Sequence, residues 1–135
     1  MTTFRRTGIA LTCLSATAAW LAAATPAQAG PAASASASAF ALAVVPEYGG
    51  PTRLATLRCE PAGGTHPHPV AACSQLQAAG GDFAAVRGTR GPCTLEYLPV
   101  TAITHGYWRG TPTSYSETFP NQCVMERTTG GIFDF

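Results

Sequence analysis

Four cysteines constrain this fold more than any other feature of the sequence. Five cysteines occur in the 135 residues, and Cys13 lies in an N-terminal segment that we expect to be removed on export. An even set of cysteines in an exported chain predicts disulfides, because compartments outside the cytosol are oxidising. Four cysteines allow three pairings, of which pairing neighbours along the chain is the simplest, and the sequence leaves the three open. The remaining cysteines are Cys59, Cys73, Cys93 and Cys123.

Residues 1–29 have the pattern of a secretory signal peptide. Two adjacent arginines supply a positive start, residues 8–24 are apolar, and the Ala-Gln-Ala at 27–29 fits the small-x-small cleavage pattern. The apolar run lies at the lower limit of what spans a bilayer, so cleavage is favoured over a membrane anchor. We expect a secreted, extracellular protein that starts at Gly30 and has no membrane segment in its mature form. The arginine pair leaves Sec and twin-arginine export both open.

Charge and length narrow the class of protein. The chain has 8 basic and 7 acidic residues, and two of the arginines lie in the predicted signal, so the exported part has a net charge of −1. A nearly neutral chain without a basic patch is untypical of a nucleic-acid-binding protein. The length suits one small domain with one core. Residues 30–39 are a low-complexity Ala/Ser stretch that predicts a disordered tail, which leaves residues 40–135 as the folded domain.

Short alternating runs of apolar and polar residues dominate the rest of the sequence. Ala55 and Leu57 lie on one face of a predicted strand, whereas Ala72 and Leu76 have helical spacing. Strands dominate and do not alternate with helices, which predicts an α+β fold with an antiparallel sheet. The predicted strands are 40–45, 52–59, 98–108, 113–119 and 132–135, the predicted helices are 70–79 and 123–128, and residues 60–69 are a predicted loop.

Two rival chemistries are weaker than the disulfide interpretation. Cys59, His66, His68 and Cys73 form a set that suits a two-Cys, two-His zinc site, but their spacing matches no common zinc module and exported thiols oxidise. The sequence carries no G-x-S-x-G, H-E-x-x-H or catalytic-cysteine signature. We therefore expect a protein that is not an enzyme and that holds neither a metal ion nor a cofactor.

The segment around Cys93 differs from an ordinary turn. A polar, Gly-rich stretch at 87–92 precedes it, and Pro99 favours an extended conformation for Leu98. These features predict an exposed, extended stretch that a disulfide fastens at one point. The local pattern alone is more typical of a plain loop that enters a strand.

Several short motifs follow one another in a set order along the chain. They are Leu-Arg-Cys59-Glu-Pro, Gly-Thr65-His66-Pro67, Ala-Cys73 followed by Leu76, Gly80-Gly81-Asp82-Phe83, Cys93-x-x-x-Tyr97-x-Pro99-Val100, Trp108-x-Gly110, Ser114-Tyr115, Phe119-x-Asn121-x-Cys123-x-Met125 and the terminal Ile-Phe-Asp-Phe. In order and spacing they resemble the Streptomyces subtilisin inhibitor family, the subtilisin inhibitor-like proteins of actinobacteria. The resemblance covers about residues 42–135.

The resemblance implies a fold and a function. It implies a five-stranded antiparallel sheet with two short helices, a homodimer that packs through the sheet, and the disulfides Cys59–Cys73 and Cys93–Cys123. It also implies a secreted inhibitor whose partners are extracellular serine proteases, both subtilisin-like and chymotrypsin-like. The alternative is a secreted binding module or a transglutaminase substrate that uses the same scaffold without inhibition.

The resemblance further implies a reactive bond two residues after the third cysteine of the mature chain. That bond is Leu95–Glu96, with Leu95 as P1, the residue before the bond that the enzyme attacks. A leucine at P1 suits an apolar S1 pocket and leaves the aspartate of a trypsin S1 pocket unpaired. The sequence departs from the family where Thr94 replaces a frequent proline. The other residues of the predicted reactive loop are Pro92, Cys93, Thr94 and Tyr97.

Overall fold

An antiparallel sheet is the framework of the protein in the computed structural model, which describes residues 37–135. The predicted signal peptide and residues 30–36 of the predicted tail lie outside the described residues. The elements of the described part are β1 (Ser38–Pro46), β2 (Arg53–Cys59), β3 (Gly63–Gly64), α1 (Pro69–Ala78), a 3-10 turn (Phe83–Ala85), β4 (Val100–Trp108), β5 (Thr111–Phe119) and α2 (Gln122–Thr129). The five strands of this part lie side by side in the order β3-β2-β1-β4-β5.

The predicted fold class is confirmed. All neighbouring strands are antiparallel, one α-helix lies between β3 and β4 and a second follows β5, and two disulfides join Cys59 to Cys73 and Cys93 to Cys123. This is the pairing that the family resemblance implies. In the chain-entropy model, loops with sequence separations of 14 and 30 each stabilise the fold by on the order of 3 kcal/mol.

The last predicted strand, residues 132–135, is wrong. The chain forms a turn there, in which the Ile132 N–H donates to the Thr129 carbonyl and the Asp134 N–H donates to the Gly131 carbonyl, both at 3.3 Å. Backbone groups that are bonded within the turn are not available to a neighbouring strand. The apolar residues of this segment pack in the core and do not extend the sheet, since Ile132 and the adjacent phenylalanine are buried.

The fifth strand is β3, which lies in the segment predicted to be a loop. Gly64 has a φ of +106°, and a Cβ at this position would collide with the carbonyl oxygen of Thr56. Glycine is therefore required for the backbone of β3 to approach β2. A strand of two glycines carries no alternating side chains, so a periodicity argument cannot predict it.

The sheet also begins earlier than predicted. β1 starts at Ser38, so Ser38 and Ala39 belong to the sheet and not to the tail predicted at 30–39. The side chain of Ser38 is buried, and its hydroxyl accepts the backbone N–H of Arg109 at 3.0 Å. This contact with the turn between β4 and β5 pins the start of β1, although the local composition is that of a flexible segment.

The core lies between one face of the sheet and the two helices with the chain end. The ring of Phe83 packs edge-on against Phe40 at 5.0 Å between centroids and lies 6.2 Å from the ring of Phe133. Full burial of such a side chain stabilises the fold by about 1.5–3 kcal/mol. The large buried apolar residues include Phe40, Leu42, Val44, Leu57, Leu76, Phe83, Phe119, Met125, Ile132 and Phe133.

The structure excludes the alternative of a zinc site. Cys59 and Cys73 form the disulfide between the end of β2 and α1, so neither is a free thiolate. His66 is buried, its Nε2 donates to the Ile132 carbonyl at 3.0 Å, and its Nδ1 accepts the backbone N–H of His68 at 3.0 Å. Burial lowers the pKa of His66 and so favours this neutral, fully bonded ring. Among residues 37–135, no group of three or more His, Cys, Asp or Glu side chains is arranged to hold a metal ion.

Candidate functional site

An exposed loop at one end of the sheet is the candidate site. Residues 86–99 form no regular secondary structure, and Leu95 is 101% exposed near the middle of this segment. We name residues 92–97 the apical loop. Cys93 is the partly buried member, whereas the other five are exposed. A fully exposed leucine side chain contributes no hydrophobic free energy to folding, because none of its apolar surface is buried. The loop therefore presents apolar surface that a binding partner can bury.

The disulfide Cys93–Cys123 fastens the apical loop to α2. The two Cα atoms lie 5.7 Å apart, and Cys123 is the second residue of α2. The backbone at Cys93 therefore moves with the helix. Because Leu95 is only two residues further along the chain, this covalent link limits the conformations that Leu95 can reach.

The side chain of Asn121 holds the apical loop through two hydrogen bonds. Its Nδ2 donates to the backbone carbonyl of Thr94 at 3.1 Å and to that of Glu96 at 3.0 Å. These two carbonyls flank Leu95 on either side. Asn121 is 4% exposed, so both hydrogen bonds are shielded from competing water on the side of the amide.

The same Asn121 side chain caps α2. Its Oδ1 accepts the backbone N–H of Val124 at 2.9 Å, which satisfies one of the free donors at the start of the helix. The cap orients the amide group, because an oxygen that faces the helix leaves the nitrogen to face the loop. Helix stability and loop conformation are thus coupled through one planar group.

A second link crosses the apical loop at its surface. The hydroxyl of Thr94 donates to the carboxylate Oε1 of Glu96 at 3.2 Å. Both side chains are exposed, so this hydrogen bond is weaker than the buried ones. Thr94, which departs from the family pattern, supplies a donor that proline lacks, and Glu96 supplies its acceptor.

Hydrogen bonds to backbone carbonyls hold the chain on both sides of the apical loop. After the loop, the Leu98 N–H donates to the Pro120 carbonyl and the Pro99 carbonyl accepts the Glu47 N–H, both at 3.0 Å. Before the loop, the Arg127 Nη1 donates to the carbonyl of Arg90 at 3.2 Å. The loop is therefore attached at its two ends as well as at its centre.

Glycine permits the close approach of the preceding arm to α2. A Cβ at Gly88 would collide with the backbone carbonyl of Arg127, and a Cβ at Gly91 would collide with the guanidinium of the same residue. The polar, Gly-rich stretch at 87–92 thus includes two glycines that pack against the helix. Any larger residue at position 88 has to displace backbone, which a side-chain rotation cannot relieve.

The sequence predicts part of this site. Leu95, Glu96 and the other apical-loop residues were singled out only through the resemblance, and the structure places them together on an exposed surface. The role of Asn121 was missed: asparagine is a preferred N-cap residue, but the helix was predicted to begin at residue 123, whereas it begins at Gln122, directly after Asn121. Its bonds to the loop join residues 27 and 25 positions apart, and no local pattern predicts them.

The arrangement suits recognition and lacks the features of a catalytic centre. In the described residues, the apical loop brings together main-chain carbonyls, a leucine and a tyrosine, with Glu96 as its one carboxylate. An extended backbone with outward side chains can pair with an open strand of another protein. Its side chains can then enter pockets of that partner.

A comparison with known proteins identifies the family. The sequence profile described as "Subtilisin inhibitor-like" matches residues 33–121. The chain belongs to the subtilisin inhibitor-like family. The predicted resemblance is confirmed, and so is the expectation that the chain is not an enzyme, because the relatives that match it bear the names of protease inhibitors.

Individual relatives agree with this assignment. Subtilisin inhibitor-like protein 7 from Streptomyces ambofaciens is 46% identical over 87 residues, which are 63% of this chain and 80% of that protein. A subtilase-type protease inhibitor from Streptomyces fradiae is 47% identical over 88 residues, which are 63% of this chain and 62% of that protein. Sermetstatin from Streptomyces caespitosus, solved in complex with subtilisin from Bacillus licheniformis, matches with a TM-score of 0.59 and 32% identity over 73% of this chain and 99% of that chain.

Two substitutions separate the two roles of Asn121. Asn121→Ala removes the helix cap and the amide donor, so we expect it to lower the free energy of unfolding by about 1–2 kcal/mol. Asn121→Ser keeps a capping oxygen, so it should recover about 1 kcal/mol of that loss. Both variants lose the bonds to the loop carbonyls, and the backbone order parameters of Leu95 and Glu96 should fall below about 0.6.

Urea unfolding and ¹⁵N relaxation measure these two effects separately. A Ser variant whose apical loop stays as ordered as that of the unmodified protein would contradict the bracing role of the amide. Equal unfolding free energies for the Ala and Ser variants would contradict the capping role.

Proposed function

We propose that the protein inhibits subtilisin-like serine proteases by offering the bond Leu95–Glu96 to the enzyme as a substrate would. The observation that carries the proposal is the amide of Asn121, which holds the carbonyls of Thr94 and Glu96 on either side of the fully exposed Leu95. Structural similarity to sermetstatin, which was solved in complex with subtilisin, supports it. The alternative of a binding module without inhibitory activity is not favoured by these relatives.

Rigidity makes such a loop an inhibitor instead of a substrate. A flexible peptide loses conformational entropy when it binds a protease cleft, whereas the apical loop is already held by Cys93 and by Asn121. Less entropy is lost on binding, which strengthens association. If the bond is cut, the new chain end at Leu95 stays tied through Cys93. The other new chain end, at Glu96, stays bonded to Asn121 through the Glu96 carbonyl. Religation of the two ends therefore competes with release of the product.

Leu95 sets the specificity in this mechanism. It occupies P1, and its aliphatic side chain fills the apolar S1 pocket of subtilisin-like and chymotrypsin-like enzymes. A trypsin-like S1 pocket carries an aspartate that the leucine would bury without a partner. Subtilisin-like and chymotrypsin-like proteases outside the cell are therefore the proposed partners, and trypsin is not.

Exchange of the P1 residue tests the reactive bond. Leu95→Lys should gain at least about 100-fold in affinity for trypsin, because the ammonium pairs with the S1 aspartate, and should lose affinity for subtilisin. Titration of both enzymes with the purified protein measures the two changes. Val70→Lys is the matched control, since Val70 is also an exposed aliphatic residue, 72% exposed, but lies on α1, so it should change neither affinity.

Two outcomes would contradict the proposal at different levels. Failure of the unmodified protein to inhibit subtilisin at near-stoichiometric amounts would refute the inhibitory function. Inhibition by the unmodified protein together with an unchanged enzyme preference of Leu95→Lys would refute only the assignment of P1.

The open face of the sheet supports a homodimer. On the face away from the core, Ala43 lies opposite Leu54 of β2 and Ile103 of β4 in the strand register. Leu54 is 74% exposed and Tyr107, on the same face, is 55% exposed. Leu54, Ala43 and Ile103 thus form an apolar row across three strands, which a second copy can cover. We propose that two copies of the chain pack through this face, as the family resemblance implies.

A charge at this face should separate the two copies. Leu54→Glu places a carboxylate of each copy in the proposed interface, so we expect the dimer dissociation constant to rise by at least about 100-fold. Sedimentation velocity across a concentration series measures the shift, and Val70→Glu on α1 is the matched control. A monomeric unmodified protein at micromolar concentration, or a Leu54→Glu protein that stays dimeric, would contradict the proposal.

We also propose that the protein is exported and that residues 1–29 are removed. The family membership and the two disulfides support this, because disulfides persist in oxidising compartments. Among residues 37–135, no helix is long and apolar enough to cross a membrane. The intact mass of the protein recovered from culture medium should correspond to a chain that starts at Gly30, and a mass that corresponds to a start at Met1 would contradict cleavage.

A further inference from the structure

The apical loop alone is too small for a tight protease complex. Stable complexes of proteases with protein inhibitors bury about 800 Å² on each partner, contributed by roughly 20–30 residues a side. The apical loop has 6 residues. If the proposed function holds, the surface next to the loop must therefore also contact the enzyme, and the structure indicates which surface that is.

Exposed apolar side chains concentrate at one side of the apical loop. Seven large hydrophobic side chains are exposed in the described part of the chain, and four of them lie in or beside this loop. Tyr48, in the turn between β1 and β2, is 72% exposed, and its ring centroid lies 6.4 Å from that of Tyr97. The four residues are Tyr48, Leu95, Tyr97 and Leu98.

Tyr48 is held in place by its neighbours. The N–H of Glu47 donates to the Pro99 carbonyl at 3.0 Å, and the carboxylate of Glu47 accepts the hydroxyl of Thr101. The turn is thus attached at its base to the chain that leaves the apical loop. Gly49, with a φ of +91°, then reverses the backbone directly after Tyr48, in a conformation that favours glycine. The exposed tyrosine is presented by an anchored turn and not by a free chain.

A groove joins Tyr48 to the proposed reactive bond. It has a volume of about 350 Å³ and lies between the β1–β2 turn and the apical loop. Its walls include Tyr48, Leu98 and Asn121, and it reaches Glu96, the residue that follows Leu95. An enzyme that holds Glu96 therefore meets Tyr48 and Tyr97 on the side of the residues after the bond.

Within the described residues, the opposite side of the apical loop exposes charged side chains and no large apolar ones. The arm before Cys93 exposes Arg87 and Arg90 and carries no large apolar side chain between them. Exposed tyrosines are among the residues that contribute most to the energy of an interface, and the two at this site, Tyr48 and Tyr97, lie on the other side of the loop. The asymmetry assigns the apolar contact to the side after Leu95.

We propose that Tyr48 and Tyr97 form a second contact surface of the inhibitory site, which packs against an apolar rim of the serine protease beyond the residue that follows the reactive bond. The inference rests on the proposed function. It names Tyr48, 47 residues before Leu95 in the chain, as a determinant of which proteases the protein binds. Enzymes with a charged or polar rim at this position should be bound less tightly than enzymes with an apolar one.

Removal of the Tyr48 ring tests the contact. Tyr48→Ser should weaken binding to subtilisin by about 10- to 100-fold, the range for an interface aromatic that makes a strong contribution. The change should appear mainly in the dissociation rate, since contact residues affect association less. Val70→Ser is the matched control, because Val70 is also 72% exposed but lies on α1.

A second measurement separates contact with the enzyme from bracing of the loop. Hydrogen exchange of the peptide that contains residues 46–51 should slow when the unmodified protein binds subtilisin. The rate at which subtilisin hydrolyses Leu95–Glu96 in the Tyr48→Ser variant should stay within about twofold of the rate in the unmodified protein, because the loop keeps its disulfide and Asn121.

The outcomes are distinguishable. An unmodified protein that does not inhibit subtilisin would overturn the proposed function together with this inference. Inhibition by the unmodified protein, with equal affinities for Tyr48→Ser and Val70→Ser, would overturn this inference alone. Weaker binding accompanied by faster hydrolysis of Leu95–Glu96 and by no protection of residues 46–51 would also overturn it, because Tyr48 would then act only by bracing the loop.

Discussion

The attachment of the apical loop to α2 is the constraint on which the presentation of Leu95 depends. Two neighbouring points of the helix provide it: Asn121 caps the helix and bonds the carbonyls of Thr94 and Glu96, and Cys123 carries the disulfide to Cys93. A hydrogen bond between neutral groups contributes about 1 kcal/mol on its own. Its larger effect here is conformational, because three restraints converge on a segment of only four residues.

The helix can serve as a support because the core holds it. Met125 of α2 is fully buried, and Ile132 just after the helix is buried against the same core. Hydrophobic burial at these positions fixes the axis of α2. The cap and the disulfide then transfer that rigidity to the surface. The stability of the sheet and the stiffness of the loop are therefore linked, although they lie in different parts of the molecule.

The fold leaves apolar surface exposed in two places, and the proposed partners differ accordingly. Ala43, Leu54 and Ile103 form an apolar row across three strands of the sheet, which suits a second copy of the chain. The loop end instead presents protruding side chains, Leu95 and Tyr97 among them. Such side chains suit the concave cleft of an enzyme. The two surfaces therefore differ in their place in the fold: one lies on the face of the sheet and the other on an exposed loop.

The sequence by itself determined the elements whose side chains repeat with a period. Alternation along β2, β4 and β5 predicted these strands, because a sheet with one buried face needs apolar residues at every second position, whereas a short apolar run that ends in two valines predicted β1. The cysteine set predicted two disulfides, and the family motifs predicted Leu95–Glu96. Tertiary structure alone decided three features: the glycine strand β3, the turn at 132–135, and the meeting of Asn121 and Tyr48 with the apical loop. A local pattern records which face of an element is buried, whereas these contacts join residues far apart in the chain, and only the packing of the core brings them together.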